Sequence, residues 1–564
     1  MSARTGGELL VASLVAQEAT HAFGVPGESF LPVLDAFHDV GDRMRFVVCR
    51  QEGGAAFMAE AAGKLTGRPG LAFVTRGPGA TNAAIGVHVA QQDSTPMILF
   101  VGQVGTDCAD REAFQEIDYR RMFGGIAKWA AQIDRVERVP EYVAQAYRVA
   151  LADRPGPVVL ALPEDMLGAR AEVADAPHIG HVNAVPAAED VAAVQALLAE
   201  ARRPFVLVGG SRWDPDACAA LAAFAHARAL PVGCGFRRQD LFDNRDAGYA
   251  GDVGIGINPA LAARIRDADL LLVIGERLGE MTTSGYSLLE APVPRQTLVH
   301  VHPSARELGR VFQPAVAIAA TPGAFLAAIN ALPARPASGW PEAAAAAHAE
   351  CEAWRAPRPV PGAVDLWQIV RWLDETLPDD AILTNGAGNY ATWLHRLYRY
   401  RRCGTQLAPY AGAMGYGAPA AIAAKILAPA RTVVSWNGDG CFLMNGQELA
   451  TAIRYRAGVV FVVVDNGMYG TIRMHQERLY PARVSGTELA NPDFAALARA
   501  YGAGGETVSR TDDFAPAFTR ALAAAAAGTP ALVHIRLDAQ ALTMNASLDA
   551  IRNAAQAARS GSSP

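Results

Sequence analysis

The residues best suited to chemistry gather in two glycine-bounded turns. Asn437-Gly438-Asp439-Gly440-Cys441 follows an apolar strand pattern (Thr432–Ser435, then Trp436) and opens a helical one. A second strand pattern, Val459–Val464, ends at Asp465-Asn466-Gly467, about 25 residues beyond Gly440. Glycines in such turns let main-chain N–H groups close on phosphate oxygens, and a helix N-terminus behind them favours the anion. Asp439 and Asn466 bring hard oxygen donors which, with phosphate oxygens and water, make an octahedral Mg²⁺ site. A G-D-G triplet alone is only a tight turn. Strand, turn, helix and second strand in succession point to a bound phosphate group. Lysine chemistry is scarce by contrast: of 50 basic residues only Lys64, Lys128 and Lys425 are lysines, so a Schiff base has three candidates.

The elements around these turns alternate from end to end. Short β-branched runs, among them Leu71–Thr75, Met97–Val101, Val158–Leu162, Phe205–Val208, Leu270–Ile274, Leu298–Val301 and Ala531–Ile535, are separated by longer helical patterns. Runs without polar alternation suit strands buried on both faces of a parallel sheet. The fold class is therefore α/β, with doubly wound parallel sheets. Two stretches read as linkers, Leu167–Ala188 and the proline-bracketed Leu332–Ala363. They divide the chain into three domains, residues 1–170, 190–335 and 360–545, and a tail, 546–564, that is helical through Arg559 and frayed from Ser560.

Composition bounds the function. In 564 residues, 51% hydrophobic and 19% charged, there is material for large cores, which excludes global disorder. The net charge of −6 argues against a dedicated nucleic-acid binder. No apolar run reaches the ~18–20 residues of a membrane span, and Met1–Leu10 shows no secretory signal. Seven scattered cysteines, with no zinc spacing, fit reduced thiols in a cytoplasmic protein.

The G-D-G and Asn466 pair resembles the thiamin diphosphate motif, and phrases along nearly the whole chain resemble the large, catalytic subunit of acetolactate synthases. Phe23-Gly24-Val25-Pro26-Gly27 is similar to their FGYPG opening, and Thr75–Asn82 (TRGPGATN) to their SGPGATN turn. Gly412–Ala421 (GAMGYGAPAA) resembles GAMGFGLPAA. The resemblance implies three domains, which bind the pyrimidine, occupy the centre, and bind the diphosphate with Mg²⁺. It implies an enzyme that decarboxylates a 2-oxo acid and passes the acyl-anion equivalent to a second carbonyl, using the cofactor as electron sink. Glu52 stands where the family keeps the carboxyl that bonds the pyrimidine N1′ and favours its imino form. A carboxyl tuned by burial suits that task. Pro26, Gly27, Gly79 and Asn82 would line the pyrimidine side. Met414 would wedge between the rings. Gly388, Asn389, Gly412, Gly438, Gly440, Cys441, Met468 and Tyr469 would hold the rest of the cofactor, with Cys441 acting through its backbone. Asp439, Asn466 and the Met468 carbonyl would hold the metal. Gln115 and Lys128 match active-site residues of the same enzymes. The family also implies a homodimer at least, and a tetramer commonly, because the first domain of one subunit faces the third of another.

The middle domain departs from the pattern. Gly275–Met281 (GERLGEM) places Met281 where an arginine handles the substrate, and methionine offers no bidentate fork to a carboxylate. His302 replaces an aspartate in the flavin-contacting segment, and His475 a substrate-channel tryptophan. Glu28 and Ser29 replace small residues at the substrate floor. These departures weigh against FAD. They leave two alternative activities beside carboligation: a benzoylformate decarboxylase-like or 2-hydroxyacyl-CoA lyase reaction, and a flavin-dependent 2-oxo acid oxidase. His21, His38 and His88 fall in helical patterns and carry no chemistry.

Overall fold

The computed structural model describes residues 2–334 and 340–560; Ser560, expected to be frayed, ends the last helix, and the rest of that reading, residues 561–564, lies outside the described residues. The chain divides into two compact units, one of residues up to 182 with 422–427, the other the remainder.

The first unit holds a six-stranded parallel sheet: β1 (His21–Gly24), β2 (Arg45–Val48), β3 (Gly70–Val74), β4 (Met97–Gln103), β5 (Trp129–Gln132) and β6 (Pro157–Pro163). Their order is β2-β1-β3-β4-β6-β5. Every residue of β3, β4 and β6 is buried, as their unbroken apolar runs require of strands covered on both faces. A two-stranded antiparallel ribbon, Arg4–Thr5 with Arg170–Ala171, joins the ends of this unit.

The second unit carries two more parallel sheets. The central one runs β7 (Pro204–Val208), β8 (Val232–Gly235), β9 (Tyr249–Val253), β10 (Leu270–Ile274), β11 (Thr297–His302) and β12 (Val316–Ala319), ordered β9-β8-β7-β10-β11-β12. The last runs β13 (Ile382–Asn385), β14 (Gln406–Leu407), β15 (Val433–Gly438), β16 (Val460–Asp465), β17 (Gly504–Val508) and β18 (Ala531–Arg536), ordered β14-β13-β15-β16-β18-β17. Three α/β domains with parallel sheets, as expected, make up the chain. The first and last sheets have one connectivity, although no repeat is visible in the sequence. The central sheet has another, in which the order reverses between β7 and β10. His21 belongs to a strand, not to a helix as expected, because β2 and β3 flank its chain on both sides.

Five helices matter for the site. Glu52–Thr66 (α1) is N-capped by the Gln51 side chain, which accepts the Gly54 N–H at 3.0 Å. Gly77–Asp93 (α2) follows β3 directly, with Pro78 in its first turn. Gly86 permits the close approach of α2 to α1, since a Cβ there would lie 2.8 Å from the Ala56 carbonyl carbon. The others are Val139–Leu151 (α3), Gly470–Leu479 (α4) and the terminal Leu548–Ser560 (α5). Among the described residues no helix is long and apolar enough to cross a membrane.

Candidate active site

In a parallel sheet ligands collect beyond the carboxyl ends of the strands. In the first unit the loop after β1 carries Pro26 and Gly27, that after β2 leads to Glu52, and that after β3 leads to Gly79 and Asn82. Asn82 Nδ2 donates to Glu52 Oε2 at 2.9 Å, so the α2 residue orients the α1 carboxylate. Gly27 is required by Thr75, whose Cβ would lie 2.5 Å from a Cβ on Gly27. Glu52 itself is half-buried within this chain. Arg76, almost buried, donates to Glu164 at 2.6 Å and Glu28 at 3.4 Å, which puts Glu28 beside the Gly27 turn. Sequence reasoning missed this ion-pair group.

Two expected catalytic residues have other engagements. Lys128 Nζ donates to the carbonyls of Val149 (2.5 Å) and Ala152 (2.7 Å) at the end of α3, where a cation satisfies orphan carbonyls and complements the dipole. The structure therefore places the Lys128 ammonium at the C-terminal end of α3. Gln115 has a left-handed backbone (φ 65°), and its carbonyl accepts the Gly77 N–H at 3.0 Å, anchoring the start of α2.

The second unit contains a cavity of about 250 Å³ at the carboxyl edge of its last sheet. Gly388, Asn389, Gly412, Met414, Gly438, Asp439, Gly440, Cys441, Asn466, Met468 and Tyr469 all line it, so the structure brings these expected residues together from four separate loops. The glycines are sterically demanded: a Cβ on Gly438 would lie 2.6 Å from the Tyr390 ring, and one on Gly440 2.6 Å from the Tyr469 ring. Gly388 adds φ 144°, open to glycine alone in practice.

Asp439 is buried, which pushes its carboxyl up to about 6, with neighbouring Asp465 adding to the rise. Both carboxylates accept from Gly467 N–H (3.0 Å each) and Asn491 Nδ2 (2.8 Å each). Asp465 is held below its usual range, against the effect of burial, by His534 at 2.9 Å and by Asn491. A buried carboxylate under such pressure, beside an amide and open main chain, is a donor set that suits a divalent cation and phosphate oxygens. Among the described residues no cluster of three His, Cys, Asp or Glu forms a metal site of another kind.

The Cys441 thiol does more than the expected backbone contact. Its Sγ accepts from the Tyr390 hydroxyl at 3.0 Å and from Gly415 N–H at 3.3 Å, while Gly386 N–H donates to the Tyr390 oxygen at 3.2 Å. Three cavity loops thus meet at one buried sulfur, and burial pushes its pKa up, away from reactive thiolate. Asn389 is likewise tied down: its N–H donates to Thr471 Oγ1 (2.9 Å) and its Nδ2 to the Leu542 carbonyl (3.2 Å). Met468 packs with Met474, Leu542, Leu548 and Ile551, so α5 closes against the loop after β16.

In the central sheet the crevice between β7 and β10 is filled. Glu276, two residues beyond β10, is 2% exposed, and a Cβ on Gly209 or Gly235 would overlap its carboxylate. Burial raises its pKa. Trp213 Nε1 donates to the Gly209 carbonyl (2.8 Å) and Arg238 to that of Gly210. His302 is buried and its Nδ1 accepts the Ser304 N–H at 3.0 Å, an internal role. His475 is exposed on α4 and does not line the cavity.

Three family descriptions match successive parts of the chain: the N-terminal TPP binding domain of thiamine pyrophosphate enzymes over residues 4–122, their central domain over 191–329, and their C-terminal TPP binding domain over 386–535. The chain is 31% identical to the acetolactate synthase isozyme 2 large subunit of Escherichia coli K12, over 94% of this chain and 95% of that one. It is 30% identical to the acetolactate synthase large subunit of Corynebacterium glutamicum, over 92% and 84%. A probable acetolactate synthase large subunit of Methanocaldococcus jannaschii is 30% identical over 96% and 93%.

Proposed function

Given that this chain belongs to the thiamine pyrophosphate enzymes, in their acetolactate synthase-like branch, we propose that it is a thiamin diphosphate- and Mg²⁺-dependent carboligase. It would decarboxylate a 2-oxo acid and join the acyl residue to a second carbonyl compound. The observation that carries this reading is the 250 Å³ cavity in which Asp439, Asn466, Gly388 and Met414 converge from four loops. When bound, thiamin diphosphate supplies the electron sink for loss of CO₂. The chain's own residues do the rest. Glu52, oriented by Asn82, would present its carboxyl group to the pyrimidine side. Asp439, Asn466 and the Met468 main chain would hold Mg²⁺, and Gly438, Gly440 and Gly388 would let backbone donors approach the diphosphate.

Exposed apolar side chains support a homodimer or tetramer as the working form. Leu443, Met444 and Ile472 flank the cavity loops, and Ile85 lies on α2 beyond Glu52; each is 42–55% exposed in the single chain. Covering them with a second subunit would also complete the burial of Glu52. The enzyme works without FAD in this reading, because the buried Glu276 carboxyl occupies the crevice at which a dinucleotide would bind. Cytoplasmic residence agrees with seven free cysteines.

The test is product identification after incubation with pyruvate, thiamin diphosphate and Mg²⁺, and then with a panel of 2-oxo acid donors and carbonyl acceptors. A ligated hydroxyketone product supports the proposal. Release of the free aldehyde alone from every donor overturns it in favour of a decarboxylase.

A further inference from the structure

The loop after β8 belongs to the central domain, yet it grips the last domain at several points. Asp240 Oδ2 accepts the Gly404 N–H (2.9 Å) and Thr405 N–H (3.2 Å), just before β14. Gln239 N–H donates to Gln406 Oε1 (2.8 Å), and Asn244 Oδ1 accepts the Tyr400 N–H (3.1 Å). Arg237 goes further, into the cavity loops themselves. It is 6% exposed, its backbone is left-handed (φ 60°), and its guanidinium lies over the Phe236 ring at 4.8 Å. An arginine at positive φ costs conformational energy, so surrounding contacts must hold it there.

Two of those contacts are carbonyls. Arg237 Nη2 donates to the Gly386 carbonyl at 3.1 Å, and Nη1 donates to that of Pro409. Gly386 opens the turn that ends in Gly388 and Asn389. Pro409 opens the turn closed by Gly412 N–H on the same Pro409 carbonyl (3.0 Å), which leads to Met414. Tyr410, between them, stacks edge-on against Phe236 at 5.5 Å and lies under Arg277 at 5.0 Å. One planar fork therefore sets the spacing of two turns that both contribute to the cavity lining.

We propose that Arg237 is a positioning residue for the cofactor, holding the Gly386–Asn389 and Pro409–Met414 turns in register from the central domain. The proposal rests on the thiamin diphosphate reading above. Arg237 does not line the cavity, so it acts through those two turns. A lysine at this position keeps the charge but presents a point donor rather than a rigid fork, so it can hold one carbonyl firmly and not both. A methionine keeps the apolar stem and holds neither.

The experiment measures thiamin diphosphate binding by intrinsic fluorescence, kcat at saturating cofactor, and the melting temperature of cofactor-free protein, for wild type, R237K and R237M. R237K is expected to melt near wild type, to bind thiamin diphosphate about tenfold more weakly, and to keep kcat within about threefold once saturated. R237M is expected to bind about a hundredfold more weakly. Should R237M not fold, R237K decides. A folded variant with wild-type cofactor affinity overturns the proposal, whether or not its melting temperature has dropped, since a merely structural arginine would give that result. A fall in kcat with unchanged affinity overturns it too. Wild-type protein that takes up no thiamin diphosphate would instead overturn the functional reading itself.

Discussion

Glu477→Gln tests how the last helix is fastened to the wall of the cavity. Glu477 lies on α4, 1% exposed, and its carboxylate accepts from Arg552 Nε (3.0 Å) and Nη2 (2.8 Å) on α5. It also accepts from Ala482 N–H (2.8 Å) and Arg473 Nε (3.0 Å). The Arg552 hydrogen bonds above all, against the opposing effect of burial, lower its pKa from 4.5 to about 2. At ~1.36 kcal/mol per unit that is about 3 kcal/mol, which water around the quarter-exposed Arg552 reduces to ~2 kcal/mol. The pKa is depressed, so this contribution is complete above the usual carboxylate range and is lost as pH falls from about 4.5 toward 2. The glutamine variant keeps one acceptor oxygen and turns an amide donor toward a guanidinium. Only the Arg552 share of that contribution, on the order of 1.4 kcal/mol, fastens α5, so its local opening should then become about tenfold more frequent at neutral pH. Amide hydrogen exchange over residues 548–560 reads this directly, and tryptic cleavage after Arg552 reads it independently. Exchange in α5 at the wild-type rate would refute the reasoning, because the ion pair would then contribute nothing to holding the helix.

Glu52→Gln should lower turnover by at least ~10²-fold while thiamin diphosphate affinity changes by less than about threefold; unchanged turnover would remove Glu52 from the mechanism. Lys128→Met should lower the stability of the first unit by about 1 kcal/mol through the uncapped Val149 and Ala152 carbonyls, as read by chemical denaturation, with turnover nearly intact. A hundredfold loss of turnover would return Lys128 to catalysis. Cys441→Ala strands the Tyr390 hydroxyl and Gly415 N–H, so half-saturation by cofactor should rise about five- to tenfold; in the wild type a charged thiol reagent should leave Cys441 unmodified. The purified enzyme should show no flavin absorption and should not quench the fluorescence of added FAD, and stoichiometric FAD binding would sink the filled-crevice argument.

Strands were legible where apolar residues ran unbroken. Leu270–Ile274 has the bounds its sequence predicts, because a fully buried strand needs every side chain apolar. Val232–Gly235 (VGCG) and Ile382–Asn385 (ILTN) were missed: two glycines weaken the pattern in one, and polar residues at the ligand edge shorten it in the other. In the candidate site, turn glycines and the residues beside them were visible because backbone geometry restricts their types. Their partners were not. Asn491 and His534 reach Asp465, and Arg237 reaches Gly386, across stretches of chain whose length says nothing about where the fold returns. Lys128 shows the complementary limit, since its position could be matched to a family phrase while the direction of its side chain could not.

The shared connectivity of the first and last sheets gives each cavity loop a counterpart. The loop after β1 carries Pro26-Gly27, and that after β13 carries Gly386–Asn389. After β3 comes Gly77-Pro78-Gly79, after β15 Gly438-Asp439-Gly440. One scaffold thus carries two chemistries that differ in a few short loops, each hung on strands whose packing does not depend on what the loop binds. Such an architecture tolerates change at its loops: the Glu28, Met281 and His475 departures lie in turns or on exposed helix faces, outside the buried strands that make the fold.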